Sequence, residues 1–173
     1  MNYIKLINMK ETIQKYSAFD ARTRFGELLD QVRYSKKPCF IERHGKPVAA
    51  LIDIKTYQRF MLSEQYRLWI HQAVQQIIEH YQPEKIVLFG STSIGAWHEG
   101  SDIDLLIVKE TSKRRLDRSD ELLSVLDPDA PLELHIYTPQ ELRERLDLRD
   151  FFISEIVSKG QILYERKAEK IGT

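Results

Sequence analysis

One stretch of the chain, residues 86–108, most constrains how this sequence can fold. It reads as an apolar strand, a Gly-Ser turn, a polar loop and a second apolar strand that opens on Ser-Asp-Ile-Asp (IVLFGSTSIGAWHEGSDIDLLIV). Because side chains alternate between the two faces of a strand, Asp102 and Asp104 lie on one face and Ile103 and Leu105 on the other. The stretch therefore predicts two strands of one sheet, with paired carboxylates at one end.

Paired carboxylates of this kind are typical of a metal site. Two such groups repel each other unless a cation lies between them, and hard oxygen ligands suit Mg²⁺. A third acid on the next strand would complete a two-metal arrangement. The run LELHIY at 132–137 alternates as a strand should, so Glu133 is the candidate for that acid, and His135 would share its face.

The Gly-Ser turn predicts an anion cradle beside these acids. Gly90 lets the chain turn tightly without a side chain in the way of a phosphate, and Ser91 adds a hydroxyl donor. The amides that follow are expected to open a short helix, and helix N-termini bind phosphate. No Gly-Lys-Ser/Thr follows, so the turn is not a P-loop. The joint pattern predicts a nucleotide site.

Charge is divided unevenly along a chain whose formal net charge is zero. Up to His80 there are 13 Lys and Arg against 8 Asp and Glu, a balance of +5, and the rest has 13 against 18, a balance of −5. A basic front half and an acidic back half predict two small domains with different partners. We place them at 1–62 and 63–173, with Ser63 as a candidate helix break and N-cap.

The front half predicts a short helix and a hairpin. Asp20 is a candidate N-cap, and the apolar positions that follow at helical spacing are Ala21, Phe25, Leu28, Leu29 and Val32. Two β-rich runs, 39–42 and 48–54, flank a turn that contains Gly45 and Pro47. A long helical stretch from about residue 55 to 81 follows.

The back half alternates strands and helices, which predicts an α/β (α+β) fold with helices flanking a sheet. Its strands are expected at 85–89, 103–108, 132–137 and 161–164, and its helices at 116–126, 139–146 and 151–158.

Composition limits where such a chain works. No apolar run approaches the roughly 20 residues that span a bilayer, and the start MNYIKLINMKETIQ lacks the apolar core of a signal peptide. The single cysteine, Cys39, cannot form an internal disulfide and is expected to be a buried structural thiol. We therefore expect a cytoplasmic protein without membrane contact.

The run GSTSIGAWHEGSDID resembles the signature of the polymerase-β-like minimal nucleotidyltransferases, in which Gly-Ser is followed after ten residues by Asp-x-Asp. LELHIYTPQEL resembles the family's third-acid strand and the helix start after it, and the likeness spans about residues 68–165. It implies that Asp102, Asp104 and Glu133 hold Mg²⁺ and act in catalysis, while Gly90, Ser91 and Ser101 bind a nucleoside triphosphate, ATP above others. This sequence departs from the family in carrying Glu133 where Asp is common.

The front half resembles the Phd/YefM antitoxin domain over about residues 16–60. The matching features are the DARTRF helix, the ERHGKP hairpin turn and VAAL before a Tyr-x-x-Phe helix. The resemblance implies a homodimer that binds operator DNA, with Arg22 and Arg24 as the DNA-binding residues. Further phosphate contacts are expected from Lys36, Lys37, Arg43 and Lys46.

The two resemblances together imply the antitoxin of a toxin–antitoxin pair. Its nucleotidyltransferase domain would neutralise a partner toxin, of the HEPN ribonuclease type, by transferring AMP or another nucleotide to it. Two alternatives remain open: a catalytically weak fold that neutralises the toxin by direct binding, and an enzyme that nucleotidylates a small molecule. The DNA-binding half argues against the small-molecule enzyme.

Overall fold

The structure is a computed structural model that describes residues 13–96, 98 and 100–166. Backbone contacts divide the chain into two compact units, Met1–Met61 and Leu62–Thr173. Within the described residues, no helix combines the length and the apolar character that crossing a membrane requires.

The first unit is built on a three-stranded sheet. Its elements are β1 (Gln14–Ser17), α1 (Ala18–Thr23), α2 (Phe25–Ser35), β2 (Cys39–Arg43) and β3 (Lys46–Leu51). The strand order is β1-β2-β3, in which β1 is parallel and β3 antiparallel to β2. The predicted hairpin is confirmed, and His44 and Gly45 form its turn with φ angles of 51° and 74°. Two positive φ angles in succession suit the twist of a two-residue hairpin.

A small core lies between the helices and the sheet of this unit. Its buried members are Ala21, Leu28, Val32 and Cys39, so the predicted burial of the thiol is confirmed. Phe25 and Leu29, predicted on the same stripe, are 49% and 45% exposed. Arg24, with φ −119° and ψ 29°, separates α1 from α2, so Ala21 and Phe25 do not belong to one continuous helical stripe.

The first helix begins earlier than predicted. Ser17 is the N-cap: its hydroxyl oxygen accepts the Asp20 N–H at 3.0 Å and donates to Asp20 Oδ2 at 2.6 Å. The prediction of Asp20 as the cap was wrong because serine caps equally well and stands three residues ahead of it. Strand β1 went unpredicted because its sequence, QKYS, has no apolar alternation.

Helix α3 (Ile54–Tyr81) runs without interruption. Asp53 precedes it and accepts hydrogen bonds from the Lys55 N–H at 3.2 Å and from the Thr56 hydroxyl. The Thr56 hydrogen bond is the main cause that lowers the pKa of Asp53. The predicted break at Ser63 was wrong, because α3 contains no Gly or Pro and serine costs a helix only about 0.5 kcal/mol relative to alanine.

The second unit is a four-stranded mixed sheet with helices. Its further elements are β4 (Lys85–Phe89), α4 (Gly90–Ser93), β5 (Ile103–Val108), α5 (Asp120–Leu123), β6 (Leu132–Tyr137), α6 (Pro139–Asp147), α7 (Phe151–Lys159) and β7 (Gln161–Glu165). The strand order is β6-β5-β4-β7, with β5 and β6 parallel and the other pairs antiparallel. The predicted fold class, α/β (α+β) with helices flanking a sheet, is confirmed.

Side-chain alternation sorts the two faces of this sheet. Ile103, Leu105 and Ile107 belong to a cluster that also holds Ile77 and Tyr81 of α3. On the other face, a second cluster joins β4, β5, β6 and α7; its buried members are Val87, Phe89, Leu106, Tyr137, Ile153 and Ile156. Asp104 alternates with Ile103 and Leu105, so its side chain belongs to the face of the second cluster.

The segment predicted as a helix at 116–126 is instead a 3₁₀ turn at Arg115–Asp117 followed by the single turn of α5. Arg118 lies between them, is 4% exposed, and donates to the Lys113 carbonyl at 3.0 Å and the Ile136 carbonyl at 3.2 Å. These bonds to backbone outside the segment draw Arg118 inward, which a straight amphipathic helix would not allow.

Candidate metal centre

The carboxylate of Asp104 lies against the backbone of Gly90. Gly90 follows β4 with φ +70°, and a Cβ added to it would lie 2.0 Å from Asp104 Oδ2. Phe89, the residue before it, is the register partner of Asp104 across β4 and β5. The requirement for glycine therefore comes from Asp104 as well as from the turn.

Asp104, Glu133 and His135 form a compact cluster of candidate metal ligands. Asp104 and Glu133 are register partners on the parallel strands β5 and β6. His135 lies two residues beyond Glu133 on the same face of β6. One ligand atom from each residue can be chosen so that all three lie within 4.8 Å of one another.

The half-buried carboxyl of Asp104 is crowded by charge. Burial is the main cause that raises the pKa of Asp104, the Glu133 carboxylate raises it further, and His135 opposes both. Asp102 adds the smallest upward contribution. A carboxylate that burial and like charge disfavour gains strongly from a bound cation.

His135 is held on several sides. Its Nε2 lies 3.1 Å from Glu133 Oε1, and 22% of its side chain is exposed. Its ring centroid lies 5.3 Å from that of Phe89 and 5.5 Å from that of Phe152, and the two phenylalanine rings meet edge to face at 5.6 Å. The aromatic contacts restrict the ring, so the imidazole is positioned before any ligand arrives.

Asp102 is placed differently from the other predicted ligands. It is exposed, precedes the first residue of β5 and is not a member of the 4.8 Å cluster. Its charge still reaches the site, because it contributes to the raised pKa of Asp104 and of Tyr66. The structure thus brings Asp104 and Glu133 together, and the full set with Asp102 stays a prediction.

A buried tyrosine holds the loop that leads into Asp102. Tyr66 is 2% exposed, and its hydroxyl donates to the Ser101 carbonyl at 2.5 Å. Ser101 Oγ accepts the His98 N–H at 3.1 Å, and the Ser101 N–H donates to the His98 carbonyl at 3.0 Å. Ser101 is therefore a loop-shaping residue, and its predicted contact with a nucleotide stays a prediction.

The predicted phosphate cradle forms a closed turn after Gly90. The Ser91 carbonyl accepts the Ala96 N–H at 3.1 Å, and the Ser93 hydroxyl donates to the Gly90 carbonyl at 2.7 Å. The roles of Gly90 and Ser91 in nucleotide binding stay predictions. Trp97, which follows this turn in the sequence, lies outside the described residues.

The cluster fits a divalent cation. Two ligand atoms that each lie about 2.1 Å from one ion are at most about 4.2 Å apart. The ligand atoms of the cluster lie within 4.8 Å of one another, so small side-chain rotations would bring them to that separation. The glycine at position 90 supplies a side of the site that carries no side chain. Asp104 and Glu133 would hold the ion, and His135 adds a nitrogen beside them.

The predicted DNA-binding residues lie at the junction of α1 and α2. Arg22 is in the last turn of α1 with its guanidinium 5.5 Å from the Phe19 ring. Arg24 precedes α2 and donates to Glu27 Oε2 from Nε at 3.0 Å and from Nη2 at 2.6 Å. Both arginines are exposed, and their contact with DNA stays a prediction.

Three other basic residues have partners within the chain. Lys36 Nζ lies 3.3 Å from Asp53 Oδ1. In the run at 113–115, Lys113 pairs with Glu121 at 2.5 Å and Arg115 donates to the Tyr137 hydroxyl at 2.6 Å. These contacts favour a structural part for the run.

Several residues that shape the site gave no signal in the sequence. Tyr66 is about 35 residues from the carbonyl that it holds, and Phe152 reaches His135 from α7. The alternation of LELHIY placed His135 on the correct face but did not show its aromatic neighbours. Such contacts depend on strand order, which single-sequence patterns do not reveal.

The family model described as the nucleotidyltransferase domain matches residues 70–163, more than half of the chain. The chain therefore belongs to the nucleotidyltransferase domain family, which supports nucleotidyl transfer as its general activity. The family model for the Phd/YefM antitoxin of type II toxin–antitoxin systems matches residues 13–76 of the same chain. The predicted fusion of the two domains is confirmed, and together the matches support an antitoxin of a toxin–antitoxin system.

Two solved structures share a loose likeness with the chain. One is a crystal structure of a proposed nucleotidyltransferase from Sulfolobus solfataricus, with a TM-score of 0.46 and 15% identity over 62% of this chain and 87% of the other. The second is a toxin–antitoxin crystal structure with AMP-PNP, with a TM-score of 0.40 and 22% identity over 56% and 73%. No curated protein matches the chain.

Proposed function

We propose that this chain is an antitoxin that neutralises its partner toxin by transferring a nucleotide to it. The observation that carries the proposal is the cluster of Asp104, Glu133 and His135 against Gly90, in a chain that also matches an antitoxin family model. A surface that only gripped a toxin would gain nothing from two carboxylates in register, because close like charges destabilise it.

The site residues divide the chemistry among themselves. Asp104 and Glu133, assisted by Asp102, would hold Mg²⁺, which would neutralise charge on the triphosphate. Gly90 and Ser91 would bind the phosphates. The acceptor hydroxyl oxygen of the toxin bonds to the α-phosphorus, the bond to pyrophosphate breaks, and the Glu133 carboxylate receives the hydroxyl proton.

The substrate and the partner follow from the resemblance to minimal nucleotidyltransferase antitoxins. ATP would donate AMP, and the acceptor would be a HEPN-type ribonuclease whose gene lies beside that of this chain. A cytoplasmic location agrees with both. A small helical protein with an Arg-x4–6-His motif in the adjacent reading frame would support this pairing.

Label transfer tests the proposal directly. The full chain is incubated with Mg²⁺, labelled ATP and the neighbouring toxin, and Asp104→Asn is compared with Asp147→Asn, an exposed acid at the end of α6. We expect label on the toxin, a loss of at least about 10-fold with Asp104→Asn because the metal site loses a carboxylate ligand, and no loss with Asp147→Asn. Label that never reaches the toxin, while Asp104→Asn still protects cells, rejects the transfer.

A second candidate is neutralisation by binding alone. It is favoured by the pairing of Glu133 with His135 at 3.1 Å and by the place of Asp102 outside the cluster. This candidate predicts that Asp104→Asn protects cells as well as the wild type does and still forms a stable complex with the toxin. The protection assay therefore separates the two.

The first unit would act as an autorepressor. The antitoxin family match supports this role, as do the exposed Arg22 and Arg24. Strand β3 is an edge strand with five exposed residues, which agrees with pairing between two copies.

A gel shift on upstream DNA that weakens steeply with salt is expected, and it should fail with Arg22→Ala but not with Lys159→Ala. No shift at low salt would favour the small-molecule enzyme, and a monomer in light scattering would reject the dimer.

A further inference from the structure

The metal cluster contains a nitrogen that an all-acid magnesium site would lack. Its three members are an aspartate, a glutamate and a histidine, with ligand atoms within 4.8 Å of one another. Mg²⁺ prefers oxygen ligands and keeps several waters. Imidazole is a ligand of Fe, Ni, Cu and Zn ions, and nitrogen-containing sites bind these more tightly than early divalent ions.

His135 is positioned as a ligand by the fold. Glu133 and His135 are two residues apart on β6, so both side chains emerge on the face of Asp104. Packing against Phe89 and Phe152 restricts the imidazole ring, which reduces the entropy lost when a ligand binds. The remaining exposed part of the side chain, 22%, leaves a route for an ion.

The contact between His135 and Glu133 has a simpler reading as a surface pair. An ion pair of that kind contributes little to stability, and Glu133 is more than half exposed. That reading does not explain why Asp104 lies within reach of the same two groups. It also predicts that replacing His135 leaves metal affinity unchanged, which separates the two readings.

We propose that His135 is a metal ligand together with Asp104 and Glu133, and that this centre prefers a first-row transition-metal dication to Mg²⁺. The inference rests on the same site as the proposed function and names the class of ion that the site selects. Nucleotide transfer would then run best with an ion that accepts nitrogen, while Mg²⁺ would support it at higher concentration.

Cobalt is a suitable probe because Co²⁺ has visible absorption bands that report its ligands. The chelator-treated full chain is titrated with Co²⁺ and, separately, with Mg²⁺ by calorimetry, without nucleotide. Wild type is compared with His135→Gln and with His71→Gln, an exposed histidine of α3 outside the cluster. Proton NMR of the Co²⁺ form detects a far-downfield exchangeable imidazole N–H only when a histidine is bound to the ion.

We expect Co²⁺ to bind at least about tenfold more tightly than Mg²⁺. His135→Gln should weaken Co²⁺ by at least about tenfold, the lower end of what loss of a supporting group costs a metal site. It should also remove the downfield resonance, while Mg²⁺ affinity changes little and His71→Gln behaves as wild type. The resonance is first sought in wild type, so its absence there rejects histidine ligation even if the variant is unstable.

Equal Co²⁺ affinity in wild type and His135→Gln, or a Co²⁺ form without an imidazole resonance, overturns the proposal. The outcome is independent of catalysis. A chain that binds Co²⁺ through His135 but labels no toxin refutes the transferase and keeps the metal centre. A chain that labels the toxin but shows no histidine bound to Co²⁺ refutes the proposed metal centre and keeps the transferase.

Discussion

Gly90 and the carboxylate of Asp104 share one corner of the second unit, so closely that a Cβ on Gly90 would lie 2.0 Å from Asp104 Oδ2. Gly100 offers the opposite case: its φ is +81°, yet nothing lies within 4 Å of its Cβ. The two glycines share a positive φ and differ in their neighbours. Substituting each glycine with alanine therefore separates the effect of backbone strain from the effect of displacing the Asp104 carboxylate.

Gly90→Ala should move Asp104 and damage the metal centre. Backbone strain at positive φ costs about 1 kcal/mol, and the overlap should bring the total loss in unfolding free energy to about 2–3 kcal/mol. Metal affinity measured by calorimetry should fall at least about tenfold. Gly100→Ala should lose only about 1 kcal/mol in chemical denaturation and keep its metal affinity. Equal behaviour of the two variants would contradict the assigned role of Gly90.

In the second unit the strands were more predictable than the helices. Strands β4, β5 and β6 have the predicted bounds because their alternating or continuous apolar residues reflect two faces that are packed locally. The segment at 116–126 failed because Arg118 is drawn toward Ile136 and Glu141, residues about 20 positions away. The spacing of apolar residues predicts which side of a helix is buried. It does not predict that a charged side chain is buried by hydrogen bonds to residues far away in the sequence.

The candidate site was predictable in its residue types and only partly in its arrangement. Strand alternation placed Glu133 and His135 on one face, and the register puts Glu133 beside Asp104. Asp102 precedes the first residue of β5 and lies outside the cluster, because strand alternation holds only within the strand and does not place a side chain in the loop before it. The contact between Gly90 and Asp104 depends on the antiparallel pairing of β4 and β5, which no local pattern encodes.

Phe152 should matter to the site and its neighbour Phe151 should not. Phe152 contacts the rings of Phe89 and His135, whereas Phe151 is 81% exposed. Phe152→Ala should cost about 1 kcal/mol of unfolding free energy through the lost aromatic pairs and should weaken Co²⁺ binding by freeing the imidazole. Phe151→Ala should change neither quantity. Calorimetry measures the Co²⁺ affinity, and denaturant unfolding measures the unfolding free energy. Equal effects of Phe151→Ala and Phe152→Ala would contradict the role of Phe152 in positioning His135.

Tyr66→Phe should loosen the loop that carries Asp102. The substitution removes the hydroxyl that donates to the buried Ser101 carbonyl at 2.5 Å. Leaving that carbonyl without its donor costs about 1–2 kcal/mol, and amide exchange of residues 100–102 should accelerate. Tyr34→Phe, at a ring that is 75% exposed, serves as the control and should leave both measurements unchanged. Unaltered exchange in Tyr66→Phe would show that other contacts hold the loop.

Arg118 and Glu141 form an ion pair that fixes the end of β6 to α6. Arg118 donates to both Glu141 oxygens at 2.5 and 2.8 Å, and its side chain is 5% exposed. Glu141→Gln would leave this buried cation without a counter-ion and should cost about 2 kcal/mol, less than a fully buried pair because Glu141 is partly exposed. Glu155→Gln breaks a surface pair with Lys159 and should change the unfolding free energy by less than about 0.5 kcal/mol. Similar losses in denaturant unfolding would place the Arg118 pair among ordinary surface pairs.

The same pair should make stability depend on acid pH. The hydrogen bond from Arg118 is the main cause that lowers the pKa of Glu141 from 4.5 to about 2, while burial opposes it. Because the folded-state pKa lies below the unfolded one, this stabilisation is complete above about pH 4.5 and disappears as the pH falls toward 2. Screening of the partly exposed Glu141 reduces the effect to about 1–2 kcal/mol.

Unfolding free energies at pH 7, 5, 4 and 3 therefore test the pair in the wild type and in Glu141→Gln. The difference in unfolding free energy between wild type and Glu141→Gln should be constant from pH 7 to 5. It should become smaller below pH 5, since Gln cannot titrate. Asp104 has the opposite effect on stability. Because its pKa is raised in the folded state, its protonation as the pH falls increases the unfolding free energy. Repeating the series in the Asp104→Asn background removes that contribution and should leave the narrowing intact. A gap that stays the same down to pH 3 would mean that Glu141 is not ionised against Arg118 in the folded chain.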